Sequence, residues 1–169
     1  MKRVLVIGCS GSGKSTFSRK LGAITDLPVV HLDQHFHGPN WEEMETERWE
    51  GVVQDIISKE SWIIDGNYGG TLDMRSERAD TIIFLDYPTV ACLWRITKRT
   101  FKYFGKVRPD AATGCKERFD LDFFHYVATY NLTRRKGMLA KLDRLKSSKQ
   151  ILIFRNDKET NRFLQSMTS

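Results

Sequence analysis

The chain has little cysteine, no long apolar run and no repetitive stretch. Its 169 residues include three cysteines, Cys9, Cys92 and Cys115. They are odd in number and far apart, with no C-x-x-C pair. That spacing argues against a disulfide framework or a zinc knuckle and for reduced thiols in the cytoplasm. No stretch approaches the roughly 18 apolar residues of a membrane span. Met1-Lys2-Arg3 followed by Val4-Leu5-Val6-Ile7 is too short for a signal peptide and breaks into glycines. With no linker, repeat or low-complexity segment, the length predicts a single domain over 1–169, with a full core.

The glycines carry the first positive signal. GCSGSGKST spans 8–16, directly after the apolar run. Gly8, Gly11, Gly13, Lys14 and Ser15 satisfy G-x-x-x-x-G-K-[ST], a strand–loop–helix cradle for phosphate. The glycines let backbone N–H groups curl inward, and the following helix adds the positive end of its dipole. Lys14 is expected to reach the β- and γ-phosphates and the Ser15 hydroxyl to ligate Mg²⁺. Ser12 and Thr16 complete the nucleotide-binding run. The alternative is a Gly/Ser turn that happens to end in Lys-Ser. Its placement between four β-formers and the helical FSRKLGAIT favours the cradle.

Five short apolar runs alternate with helical stretches: VLVIG (4–8), PVVHL (28–32), SWIID (61–65), TIIFLD (81–86) and QILIF (150–154). Most are continuous rather than alternating, as in strands buried on both faces. Helices are expected at 14–25, 43–59 and 88–103, and Asn156-x-x-Glu159 opens a last one as a capping box. The pattern predicts an α/β fold, a parallel sheet with helices on both sides. Residues 104–119 break the alternation. So long a connection is a lid or a passive insertion, and its charges argue against a packed resting place.

Ligands of such sheets bind beyond the carboxyl ends of the strands. Asp33, Asp65, Asp86 and Arg155 fall there. Asp65 is a candidate to hold a metal-bound water, and Asp33 to orient or deprotonate an acceptor hydroxyl; either could instead cap a helix or turn. Asp86 reads as structural, and Arg155 as a nucleotide contact. His31, His35 and His37 lack the further ligands a zinc site needs. His35, Phe36, His37 and Trp41 either line an acceptor pocket or pack under its helix, within an acceptor segment at about 33–60. Trp62 and Trp94 are assigned to the core.

The formal net charge of +6 is uneven. Residues 95–149 hold 15 Lys/Arg against 5 Asp/Glu, and the rest of the chain 12 against 16. Such a segment suits polyphosphate or nucleic acid, or is a solvated face. No helix-turn-helix, zinc-finger or RNP pattern supports nucleic acid, and the N-K-x-D motif of GTPases is absent.

With its glycine loop and Asp65-Gly66 at a strand end, the chain resembles small kinases of the adenylate kinase type. More closely, and over nearly its whole length, it resembles bacterial topology modulation proteins, which share H-L-D (31–33), W-I-I-D-G-N-Y (62–68), A-D-T-I-I-F-L-D (79–86) and R-P-D (108–110). The resemblance implies a P-loop NTPase fold, a three-layer α/β/α with a five-stranded parallel sheet and a lid insertion. It implies ATP and Mg²⁺, with Asp65 at the Mg²⁺ hydration shell. Pro88, Arg95 and Arg99 keep the family's spacing, which implies Arg95 stacking on adenine and Arg99 contacting phosphates. Arg134 and Arg135 would neutralise the transferring phosphoryl group, with Arg108 and Arg118 in the lid. Gly69 stands where adenylate kinase has the arginine that holds the AMP phosphate; Arg75 or Arg78 would have to substitute. The expected activity is γ-phosphoryl transfer from ATP to a small acceptor, a nucleotide or another hydroxyl compound. A nucleotide-dependent DNA-binding protein and a plain NTPase are the alternatives. The expected state is a cytoplasmic monomer or dimer, with no membrane contact.

Overall fold

The computed structural model describes residues 1–109 and 111–168. Five strands, β1 (Arg3–Gly8), β2 (Val29–His31), β3 (Trp62–Asp65), β4 (Thr81–Leu85) and β5 (Gln150–Phe154), form one sheet in the order β2-β3-β1-β4-β5. All its pairings are parallel. The helices are α1 (Lys14–Thr25), α2 (Leu32–Phe36), α3 (Thr46–Ser58), α4 (Leu72–Arg78), α5 (Thr89–Tyr103), α6 (Leu121–Thr133), α7 (Arg135–Leu145) and α8 (Asp157–Ser166).

The continuous apolar runs are explained by the two layers. Val4, Val6, Ile63, Ile83 and Leu85 point to one face, where Phe17 and Leu21 of α1, Cys92 and Ile96 of α5 and Val127 of α6 cover them. Leu5, Ile7, Trp62, Ile64, Ile82 and Phe84 point to the other, under Trp49, Val53 and Ile57 of α3 and Leu142 of α7. No central strand has a solvent face, so none alternates. The α/β sandwich expected from the sequence is the fold.

Strand and helix positions follow the sequence reading within a few residues. α1 begins and ends where expected, and α3 is shorter, beginning at Thr46. The capping box is present in modified form. Asn156 Oδ1 accepts from Glu159 N at 3.0 Å, and Glu159 Oε2 reaches back to Arg155 N at 2.7 Å. Trp94 is a correction: it is 63% exposed on α5, while Trp62 is fully buried.

The connection after β3 is held by Arg75, which is fully buried. Its Nε reaches Thr71 O and Oγ1 at 3.2 Å, Nη1 Gly66 O at 2.9 Å, and Nη2 Asn67 O and Tyr68 O at 2.5 and 2.8 Å. Burial lowers its pKa to about 10. Arg78 turns to Ile57 O at 3.3 Å. Neither arginine replaces the one missing at Gly69, because Arg75 is committed to carbonyls and Arg78 to α3.

Arg75→Met is expected to destabilise the fold by about 3 kcal/mol or more, since it strands several buried carbonyls at roughly 1–3 kcal/mol each. Lysine cannot span the same fan and should rescue little. Urea unfolding measures both variants, and a loss below about 1 kcal/mol contradicts the account.

Candidate active site

The loop between β1 and α1 is built for close approach. Gly8 and Gly11 adopt φ values of 149° and 83°. A Cβ on Gly11 would stand 2.4 Å from Cys92 O, and one on Gly8 2.6 Å from Leu85 O. The loop is therefore wedged against α5 and β4, and the N-terminus of α1 opens beyond Gly13. Lys14 Nζ lies 3.0 Å from Gly8 O and 3.1 Å from Cys9 O, folded over the loop. Gly8 N is donated to Asn67 Oδ1 at 3.1 Å.

Register brings the metal candidates together. Val6 pairs with Asp65 across β1–β3, and Asp65 with His31 across β3–β2. Asp65, nearly buried, accepts from Ser15 Oγ at 3.1 Å and contacts His31 Nδ1 at 2.5 Å. One carboxylate beside one hydroxyl at a phosphate cradle fits Mg²⁺, which keeps several waters and takes few protein ligands. His31 fixes the carboxylate from behind. Its role was missed in the sequence because the contact joins two neighbouring strands in register; β2 ends at His31, and Asp33 belongs to α2.

Asp33 instead accepts from Tyr68 OH at 2.7 Å. Burial first, and the neighbouring Asp33 second, push the Tyr68 phenol well above its usual range, so it stays a donor. Phe36, His37, Trp41 and Tyr68 line the same cleft as Asp33. His35 is exposed and does not line it.

The cleft has a volume of about 1040 Å³ and runs from Lys14, Ser15, Thr16 and Asp65 to Asp33 and these rings. Arg99, Arg108, Arg118 and Arg134 also line it. Arg95 and Arg135 do not. Arg95 lies across the loop, with Nη1 3.2 Å from Ser12 O, Nη2 2.6 Å from Asp157 Oδ2, and its guanidinium over the Tyr87 ring. A recess of about 60 Å³ beside it is lined by Ser12, Gly13, Tyr87 and Asp157. Arg135 forms a two-pronged pair with Asp86 at 2.6 and 2.7 Å, and Arg155, largely exposed, stands 3.9 Å from the same carboxylate. Asp86 is thus an anchor for α7.

Residues 104–119, expected to lack a packed resting place, have one. Arg108, Ala111, Ala112, Cys115 and Glu117 are buried. Trp41 Nε1 donates to Lys116 O at 2.9 Å, and Gln34 Nε2 to Pro109 O at 3.0 Å. Asp110, the last residue of R-P-D, lies outside the described residues. Glu117, unnoticed in the sequence, binds Arg99 Nε at 3.1 Å, Arg108 Nε at 2.8 Å and Thr100 Oγ1 at 3.2 Å. Lys141 lines the cleft and pairs with Asp73.

No family model matches the chain. No curated protein matches it either. Solved structures do resemble it. A shikimate kinase from Acinetobacter baumannii, in complex with shikimate, superposes with a TM-score of 0.59 at 15% identity, covering 99% of this chain and 90% of that one. A gluconokinase from Sinorhizobium meliloti 1021 gives 0.55 at 14%, covering 99% and 89%. The shikimate kinase from Aquifex aeolicus gives 0.53 at 18%, covering 98% and 92%. At these identities the likeness shows the fold alone, which this chain shares with those kinases.

Gly11→Ala is expected to abolish ATP binding, because the added methyl meets the α5 backbone and forces the loop outward. Calorimetric titration with ATP checks this. Binding within about threefold of the parent would mean the loop is not wedged.

Proposed function

We propose that the protein is an ATP- and Mg²⁺-dependent phosphotransferase that moves the γ-phosphoryl group of ATP to a hydroxyl of a small acceptor. The observation that carries the reading is one continuous cleft joining Lys14, Ser15 and Asp65 to Asp33. The P-loop kinase fold supports it, as do two small-molecule kinases among the structures of that fold. We also propose membership of the topology modulation proteins, supported by H-L-D and W-I-I-D-G-N-Y. Those two runs supply His31, Asp33, Asp65, Asn67 and Tyr68.

In this reading Lys14 and the loop N–H groups bind the β- and γ-phosphates, and Ser15 and Asp65 hold Mg²⁺. The metal, when bound, neutralises charge that develops across those phosphates. Asp33, oriented by Tyr68, takes the acceptor hydroxyl proton. The acceptor O–Pγ bond forms, and the bond from Pγ to the bridging oxygen breaks with its electron pair on ADP. Arg99 and Arg134 face the transferred group, and the lid excludes water. Arg95 stacks on adenine beside the 60 Å³ recess. Arg135 and Arg155 act indirectly, by positioning α7 through Asp86.

A DNA-binding reading has less to stand on. Within the basic segment, Lys141 and Lys146 pair with Asp73 and Asp143, and Lys149 Nζ binds Glu77 O and Ala79 O. These contacts tie cations to the fold.

Lys14→Ala is expected to lower ADP formation at least 100-fold, about 2.7 kcal/mol, with an unchanged urea midpoint. Asp65→Asn should raise the Mg²⁺ concentration needed for half-maximal turnover. A coupled ADP assay measures both, and near-parental turnover of Lys14→Ala refutes the phosphotransferase.

A further inference from the structure

The charge distribution of the cleft narrows the acceptor. Beyond the phosphate loop the cleft is walled by Phe36, His37, Trp41 and Tyr68, with Asp33 and Glu43 as its carboxylates. Phe36 packs 4.8 Å from Tyr68 and His37 5.3 Å from Trp41, between ring centroids, so the wall is continuous. Such apolar walls with a few placed polar groups select by shape and hydrogen bonding.

The cations of the same cleft face carboxylates. Arg99 and Arg108 share Glu117, Arg118 stands 3.7 Å from Asp120, and Lys141 pairs with Asp73. Arg108, over the Trp41 ring, is the cation nearest the aromatic wall, and it is buried together with Glu117. Arg134 sits over Tyr126, at the end of the cleft where Asn67 binds Gly8 N. It therefore serves the phosphate end. Arg75, directly behind the 66–71 loop, is committed to carbonyls.

An anionic group entering this chamber meets Asp33 and Glu43. To gain Arg99 or Arg108 it has to draw them from Glu117, leaving a buried carboxylate uncompensated, whereas Arg118, 64% exposed, offers only a solvent-screened charge. A neutral hydroxylated ring meets neither penalty. Its hydroxyls can bond Asp33 and Glu43, and its flat face can lie on the rings.

Resting on the phosphotransferase reading, we propose that the acceptor is a polyhydroxylated ring compound that carries no anionic group, a neutral sugar, cyclitol or amino sugar. Carboxylate- and phosphate-bearing acceptors are excluded by the Glu117 pairing. An amino substituent is accepted, because the chamber's own carboxylates balance it.

The test titrates the full chain, loaded with a non-hydrolysable ATP analogue and Mg²⁺, with three matched probes: glucose, glucosamine and glucuronate. Glucose and glucosamine are expected to bind at least about tenfold more tightly than glucuronate. Glu117→Gln, which leaves Arg99 and Arg108 short of a counter-charge, should strengthen glucuronate relative to glucose. Should that variant fail to fold, the exposed Glu43→Gln should shift the preference in the same direction. Glucuronate binding best to the parent protein overturns the proposal, as does a protein that binds the analogue and none of the probes. Failure to bind the analogue sinks the phosphotransferase itself, so the two failures are told apart in one experiment.

Discussion

The two ends of the cleft depend on one buried guanidinium. Arg75 gathers the carbonyls of Gly66, Asn67, Tyr68 and Thr71 around itself, where no water can serve them. A loop that turns its carbonyls inward in this way must turn its side chains outward. Asn67 then reaches Gly8 N in the phosphate loop, and Tyr68 reaches Asp33 at the head of α2. Arg75 shapes the wall of the site without touching what the site holds.

A second constraint is steric. The phosphate loop is pressed against Cys92 O of α5, so the helix that buttresses it also sets the positions of the arginines along its length. Four residues apart, Arg95 and Arg99 leave α5 toward different neighbours. Arg95 crosses to Ser12 O and Asp157, while Arg99 turns to Glu117 in the lid. Movement of α5 is therefore coupled to the loop at one end and to the lid at the other through the same backbone.

The fold was legible because its signal is local and repeated: buried strands read as unbroken apolar runs, and a glycine loop needs positive φ. The glycine loop between β1 and α1 was legible for the same reason. What escaped the sequence is long-range pairing. Nothing local joins His31 to Asp65, 34 residues apart; their contact follows from β2 and β3 being neighbours in register. Arg135 read as a phosphate ligand beside Arg134, but one step around the chain turns it to Asp86. Trp94 read as core because tryptophan usually is, yet it falls on the outward side of an amphipathic helix. The lid's charges suggested a solvated segment; they prove to be each other's partners and the partners of α5.

Residues 104–119 are rich in cations and nonetheless pack against the cleft. Packing Arg108 under Trp41 removes it from water, and an unpaired buried charge costs several kcal/mol. Glu117, nine residues along the same segment, supplies the counter-charge and takes Arg99 of α5 with it. One carboxylate thus offsets part of the charge of two arginines. An arginine already matched to a carboxylate has little to gain from a second anion at the acceptor end, whereas Lys14, held only by two neutral carbonyls, has much to gain from phosphate. On the proposed phosphotransferase reading, the cleft separates a phosphate end, where Lys14 bonds neutral carbonyls, from an acceptor end, where Glu117 holds two arginines. Discrimination between the two substrates then follows from which cations the fold has already paired.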